Sequence, residues 1–196
     1  MARGTVLLVG LAVAAVSLAG VLLFLVQAGG EQAEQSMCRY LVCAEERLIE
    51  SGYQAMYRSG PQNARQALEA FREALRRDAA SPDRWCDLAG TLAQYGQTEQ
   101  AQYCYNRALH LAPNSPQVWL QAANFSLGTG DNQKAVSRYA RVLQLTPVYE
   151  PVVFSYYDLM GLPLREILEQ GIPADREVAQ SYFRHVLATG GEREVG

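Results

Sequence analysis

Residues 82–95 read PDRWCDLAGTLAQY and residues 116–129 read PQVWLQAANFSLGT, so Pro82 and Trp85 return as Pro116 and Trp119 after 34 residues. The beat continues outside these stretches: Ala101 returns as Ala135, Tyr105 as Tyr139, Leu109 as Leu143, Leu111 as Leu145 and Pro113 as Pro147. A fixed period of this length marks a supersecondary unit that is stacked on copies of itself. Inside each copy the apolar residues recur at three and four places, the spacing of a helix face. Gly96 and Gly130 fall where a first helix must turn, and Pro113 and Pro147 stop a second helix. Pro82 and Pro116 can open the next helix, because the missing amide hydrogen is harmless in a first turn.

The pattern resembles the tetratricopeptide repeat, a helix-turn-helix unit, over about residues 48–147. In the copy 82–115, Trp85, Leu88, Ala89 and Leu92 stand in the motif places of the first helix, and Ala101, Tyr105, Ala108 and Pro113 in those of the second. Small residues at Ala89, Ala101 and Ala108 let paired helices approach, and Trp85, Leu88, Leu92 and Tyr105 fill the space between pairs. The copy 116–149 keeps Trp119, Ala122, Ala123, Ala135, Tyr139, Val142 and Pro147. Ser126 departs from the large apolar residue expected at its place, between Phe125 and Leu127, which predicts a slight rotation of that helix.

A weaker copy, 48–81, precedes these two. Ala67, Phe71, Ala74 and Leu75 mark its second helix, and the first, with Ile49, Tyr53 and Met56 facing inward, reaches Gly60-Pro61 after a longer turn and extends back toward Met37. After Pro147, the stretch EPVVFSYYDLM (150–160) reads as a fourth first helix, with Val153, Tyr156, Tyr157 and Met160 in the motif places. The short segment LREILEQ follows between two Gly-x-Pro turns, and then a helix in which Ala179, Phe183, Val186 and Leu187 repeat the second-helix spacing. Residues 150–189 therefore read as a degenerate fourth repeat with an expanded turn, or as a capping hairpin, which a solenoid needs at its end. The expected fold is an all-α solenoid of helical hairpins occupying residues 37–196.

The first 28 residues differ from the rest. The run TVLLVGLAVAAVSLAGVLLFLV (5–26) has no charge, and its 22 residues would span about 33 Å as a helix, enough for a bilayer core. It reads as a transmembrane anchor; a cleaved signal peptide is the alternative, although secretory apolar cores are shorter. Arg3 precedes the run and Glu31 and Glu34 follow it, which places the N-terminus in the cytoplasm and the rest across the membrane. GGEQAEQS (29–36) is a polar, glycine-led tether. With 49% hydrophobic residues the 196-residue chain can build a core, and a net charge of −3 without basic blocks argues against nucleic acid.

Chemistry for catalysis is sparse, so no catalytic residue, metal or cofactor is expected. His110 and His185 each sit near the end of an expected second helix, where a cation suits the dipole, with no ligand partners at metal spacing. Cys38 and Cys43 lack a C-x2-C spacing; a thiol redox protein built on them is the alternative of a different class. Cys86 and Cys104 fall in paired helices of one repeat and stand either as a disulfide or as two buried thiols. Of eleven tyrosines, Tyr149, Tyr156, Tyr157 and Tyr182 gather in the C-terminal third, mostly on core spacing.

The resemblance implies a binding groove lined by the first helices. Carried over position by position, it comprises Asp83, Cys86, Gly90 and Ala93, then Gln117, Leu120 and Asn124, then Phe154 and Asp158. Cys86 and Gly90 replace the lysine and asparagine of the carboxylate clamp used by chaperone-binding members, so a neutral to mildly apolar segment is the expected ligand. The whole reads as a non-enzymatic scaffold. It would be anchored in a bacterial inner membrane, with periplasmic repeats that bind a peptide or helix of an envelope or membrane complex. A cytosol-facing receptor is the alternative within that class.

Overall fold

The structure is a computed structural model and describes residues 45–58 and 60–193; the apolar run 5–26, the tether, and Cys38 and Cys43 lie outside the described residues. Among the described residues there is no strand, and no helix is long and apolar enough to cross a membrane. The helices are α1 (Glu45–Tyr57), α2 (Pro61–Arg77), α3 (Pro82–Gln94), α4 (Thr98–Leu111), α5 (Pro116–Gly128), α6 (Asn132–Leu145), α7 (Glu150–Met160), a short α8 (Leu164–Glu166) and α9 (Arg176–Arg193).

The period of the sequence is also a period of hydrogen bonds. The Trp85 indole donates to the Ala79 carbonyl at 2.9 Å, and the Trp119 indole donates to the Pro113 carbonyl at the same 2.9 Å. Both tryptophans are half-buried, so each ties a helix start to the turn before it more than it fills the core. Gln97 N–H reaches the Leu92 carbonyl and Asp131 N–H the Ser126 carbonyl, closing α3 and α5 in the same manner. The chain reverses there through Gly96 (φ 73°) and Gly130 (φ 79°), left-handed positions where a Cβ would be strained. Pro82 and Pro116 open α3 and α5, and the Ser115 side chain caps α5 by accepting from Val118 N–H.

The helices pair as hairpins, α3 with α4 and α5 with α6, through fully buried Ala89, Ala101, Ala108, Ala122 and Ala135. In the first hairpin the close approach falls at Gly52: a Cβ there would stand 2.8 Å from the Phe71 ring. The fully buried stripe of α1 is accordingly Gly52 and Ala55, with Ile49, Tyr53 and Met56 only half-buried along its edge. A small residue facing an aromatic is easily overlooked in a search for apolar bulk.

Ser126 keeps the inward place instead of rotating out, and Arg138 supplies the missing volume. The guanidinium of Arg138, 6% exposed, donates to the Ser126 hydroxyl at 2.6 Å, to the Ala122 carbonyl at 2.7 Å and to the Asn106 side chain at 3.3 Å. Burial draws its pKa below the ordinary arginine value. A serine that reads as a defect in the repeat is thus one half of a buried polar pair, satisfied on both sides.

The C-terminal third departs from the repeat. A bend at Gly161 (φ 61°) leads into α8 and a π turn, Ile167–Gly171, which packs on α6 where a second helix would lie. Ile167 is buried, and the Tyr157 hydroxyl donates to the Gly171 carbonyl at 2.8 Å. Helix α9 then packs on α7 with Val178 and Tyr182 inward. Of the four residues expected inward, Phe183 and Leu187 are 63% and 64% exposed and Ala179 is exposed too, while Val186 is half-buried against the core. The inward face of α9 is set by Val178 and Tyr182 against α7, one residue before the expected Ala179 and Phe183, and Asp175 caps its start by accepting from Val178 N–H at 3.1 Å.

Candidate partner-binding groove

Within the unit Leu48–Gly196, each second helix (α2, α4, α6) packs on the first helix of the next hairpin, and α3 packs directly on α5. Between α1 and α3 the Tyr53 hydroxyl donates to the Asp87 carboxylate, which Arg84 also approaches at 3.2 Å, and Thr91 Oγ1 lies 3.6 Å from the Met56 sulfur. The first helices therefore form an inner row with the second helices behind them, and the inner row is the floor of the candidate groove.

The nine residues expected to line it divide into two groups. Asp83, Gln117 and Asn124 are exposed, and Gly90, Ala93 and Leu120 are half-buried with a face open. Asn124 also accepts from the Tyr139 hydroxyl at 2.7 Å, so it supports the buried ring of the next helix. Cys86 and Phe154, by contrast, are each 2% exposed and closed to a partner. Cys86 belongs to the core cluster with Leu88, Phe71 and Tyr105. Phe154 is covered by α9: its ring centroid lies 5.0 Å from that of Tyr182 and 5.4 Å from that of His185. Asp158, one turn on, is half-buried and bonded to His185 Nε2 at 2.7 Å. Helix α9 thus occupies the groove positions of α7, and His185 serves there as a latch to Asp158, in the middle of a helix instead of at its end.

The cysteines of the second hairpin are two free, buried thiols, not a disulfide. Burial, with the carboxylates of Asp83 and Asp87 adding to it, pushes the Cys86 thiol up to about 12, and burial pushes Cys104 up to about 11. Thiols so held stay protonated and unreactive near neutrality. Among the described residues no group of three His, Cys, Asp or Glu is placed to hold a metal.

Two features lay beyond sequence reasoning. The latch of His185 onto Asp158 needed the register of α9, which the misleading Ala179/Phe183/Leu187 stripe concealed. A cleft of about 370 Å³ opens on the outer side between α2 and α4, over α3, with Trp85, Leu88 and Tyr103 in its wall and Arg72 and Glu99 at its rim. Trp85 there stands edge-on to Tyr103 at 6.0 Å and under the Arg107 guanidinium at 5.7 Å.

The tetratricopeptide repeat family model matches residues 60–123. No curated protein sequence matches the chain closely enough to count as a relative. Among solved structures, a crystal structure of MamA is similar over 84% of this chain and 89% of its own, at 16% identity and a TM-score of 0.56. A second crystal structure of the MamA protein gives 83% and 82% coverage at 16% identity and a TM-score of 0.55. The Sgt2 tetratricopeptide domain from Aspergillus fumigatus covers 67% of this chain and 86% of its own at 19% identity, with a TM-score of 0.50. Identities this low carry the fold alone, and on that fold the described residues form an all-α solenoid of tetratricopeptide-like repeats.

Proposed function

We propose that the protein is a non-enzymatic scaffold, held in a bacterial inner membrane by residues 5–26, whose repeats lie on the extracytoplasmic side. Its groove would capture a peptide or helix of a partner protein during assembly or stabilisation of an envelope complex. One observation supports the capture reading above others: α1, α3 and α5 form a row in which Asp83, Gln117 and Asn124 are exposed and Gly90, Ala93 and Leu120 are partly open, backed by the packed cluster of Leu88, Ala89, Leu92, Ala101 and Tyr105. Small and polar residues on a rigid helical floor allow a second backbone to come close at little entropic cost.

Capture is tested by crosslinking in mild detergent, comparing the unaltered chain with Asp83→Lys combined with Gln117→Lys. Both positions are exposed, so the fold and its circular dichroism should survive, while a charge misplaced in an interface removes the crosslinked partner. Partners that persist unchanged would rule out the groove. Topology is tested by fusing alkaline phosphatase after Gly196 and washing membranes with carbonate. Active phosphatase that stays in the membrane fraction is expected; an inactive fusion would favour the cytosol-facing receptor, and a soluble chain beginning near Gly29 a cleaved signal.

A further inference from the structure

The net charge of −3 hides a segregation by helix position. From Leu48 to Met160 the first helices hold the acids Glu50, Asp83, Asp87, Glu150 and Asp158 and a single base, Arg84. The second helices α2, α4 and α6 hold eight lysines and arginines against three acids. Arg84 is itself engaged by Asp87, so acids prevail on the first helices and bases on the second, with Asp83 the exposed acid among the groove residues.

A second observation shows what the groove row accepts. At its last station the row is already occupied, by the chain's own α9, and the occupant meets α7 with two side chains three residues apart on one helical face. His185, a nitrogen base, sits on the acid Asp158 at 2.7 Å, and the aromatic Tyr182 packs on Phe154 at 5.0 Å. Among the described residues the other stations offer similar features uncovered: an exposed acid at Asp83, a second exposed acid, Glu50, on the neighbouring α1, and a low apolar floor at Ala93 and Leu120.

We infer that the open part of the groove binds a cationic helix or segment, one that presents lysine or arginine to Glu50 and Asp83 and an aromatic or aliphatic side chain to Ala93 and Leu120. The inference rests on the groove reading above and names its ligand chemistry, replacing the neutral segment expected from the missing carboxylate clamp. A single exposed ion pair adds little affinity, but a row of one sign steers an oppositely charged partner and selects against the wrong one.

The test uses the full chain in nonionic detergent and a fluorescein-labelled, alanine-based helical peptide carrying lysines and one tyrosine on a single face, with glutamine and glutamate counterparts. The lysine peptide should bind about tenfold more tightly than the glutamine peptide, the glutamate peptide least, and the preference should fade between about 50 and 500 mM salt. Asp83→Asn with Glu50→Gln should abolish the preference, whereas Glu69→Gln with Glu99→Gln on the outer helices should not. Equal binding of the lysine and glutamine peptides, lost in Leu120→Arg, would overturn the charge assignment and leave the groove standing. A lysine peptide whose binding ignores Leu120→Arg and both acid neutralisations would overturn the two readings together.

Discussion

The second hairpin and the C-terminal segment contain nearly the same string of side chains and use it in opposite ways. Ala101, Tyr105 and Ala108 on α4 face the core and are buried; at the matching places of α9, Ala179 and Phe183 face solvent and Val186 is half-buried against the core. The difference lies in what each helix can pack against. Helix α4 has α3 beside it, with Leu88, Ala89 and Leu92 shaped to receive it, whereas α9 follows a π turn that has already taken the place beside α6. A spacing proposes a face, and the neighbour decides whether that face is used.

The sharpest way to break this comparison is to truncate the corresponding aromatics. Tyr105→Ala should cost about 3–5 kcal/mol, because a nearly buried ring packed against Phe125 leaves a cavity, whereas Phe183→Ala should change stability by about 0.5 kcal/mol or less. Urea unfolding of both variants decides it, and equal losses would place α9 in the register of a true second helix.

The buried polar pair gives the next effect. Ser126→Leu should destabilise by about 3 kcal/mol, since the Arg138 guanidinium loses its shortest acceptor and is overpacked, while Ser126→Leu with Arg138→Leu should recover much of that loss. A double-mutant cycle without such recovery would mean that Ser126 and Arg138 do not act as one unit.

Smaller still, Ala101→Leu should cost about 1–3 kcal/mol by forcing apart two helices in contact, against about 0.5 kcal/mol or less for Ala179→Leu. Differential scanning calorimetry would register the contrast.

The smallest effect concerns the thiols of the second hairpin. Both have folded pKa values above the ordinary thiol value of 9.0, so the unfolded chain ionises first as pH rises. Their contribution to stability is complete below about pH 9 and declines as the pH climbs toward 11 to 12. Titration with a thiol reagent at pH 8 should leave Cys86 and Cys104 unmodified until the protein is denatured, and rapid labelling in the native state would contradict their burial.

How legible all this was depended on whether neighbours repeat. For Trp85, Pro113 and Ala135 the surroundings recur every 34 residues, so position in the period stands in for position in space. Glycines at Gly96 and Gly130 announced their left-handed turns for the same reason. Ser126 could be seen to break the pattern, but its partner Arg138 lies twelve residues away on the opposite helix, and a surface-type side chain gives no sign of burial. Phe154 and Cys86 occupied groove positions by count, yet α9 covers one and the core closes over the other. Asp83, Gln117 and Asn124 are exposed, with nothing among the described residues packed over them.

The two indole hydrogen bonds have a spectroscopic consequence. The chain contains two tryptophans, and each is fastened to the backbone at the seam where one hairpin joins the next. Their fluorescence therefore reports on seams, while circular dichroism reports on helices. In a linear stack, neighbouring units can part before any of them melts. A lag between the loss of helicity and a shift in indole emission would then measure how strongly adjacent hairpins are coupled, with no label added.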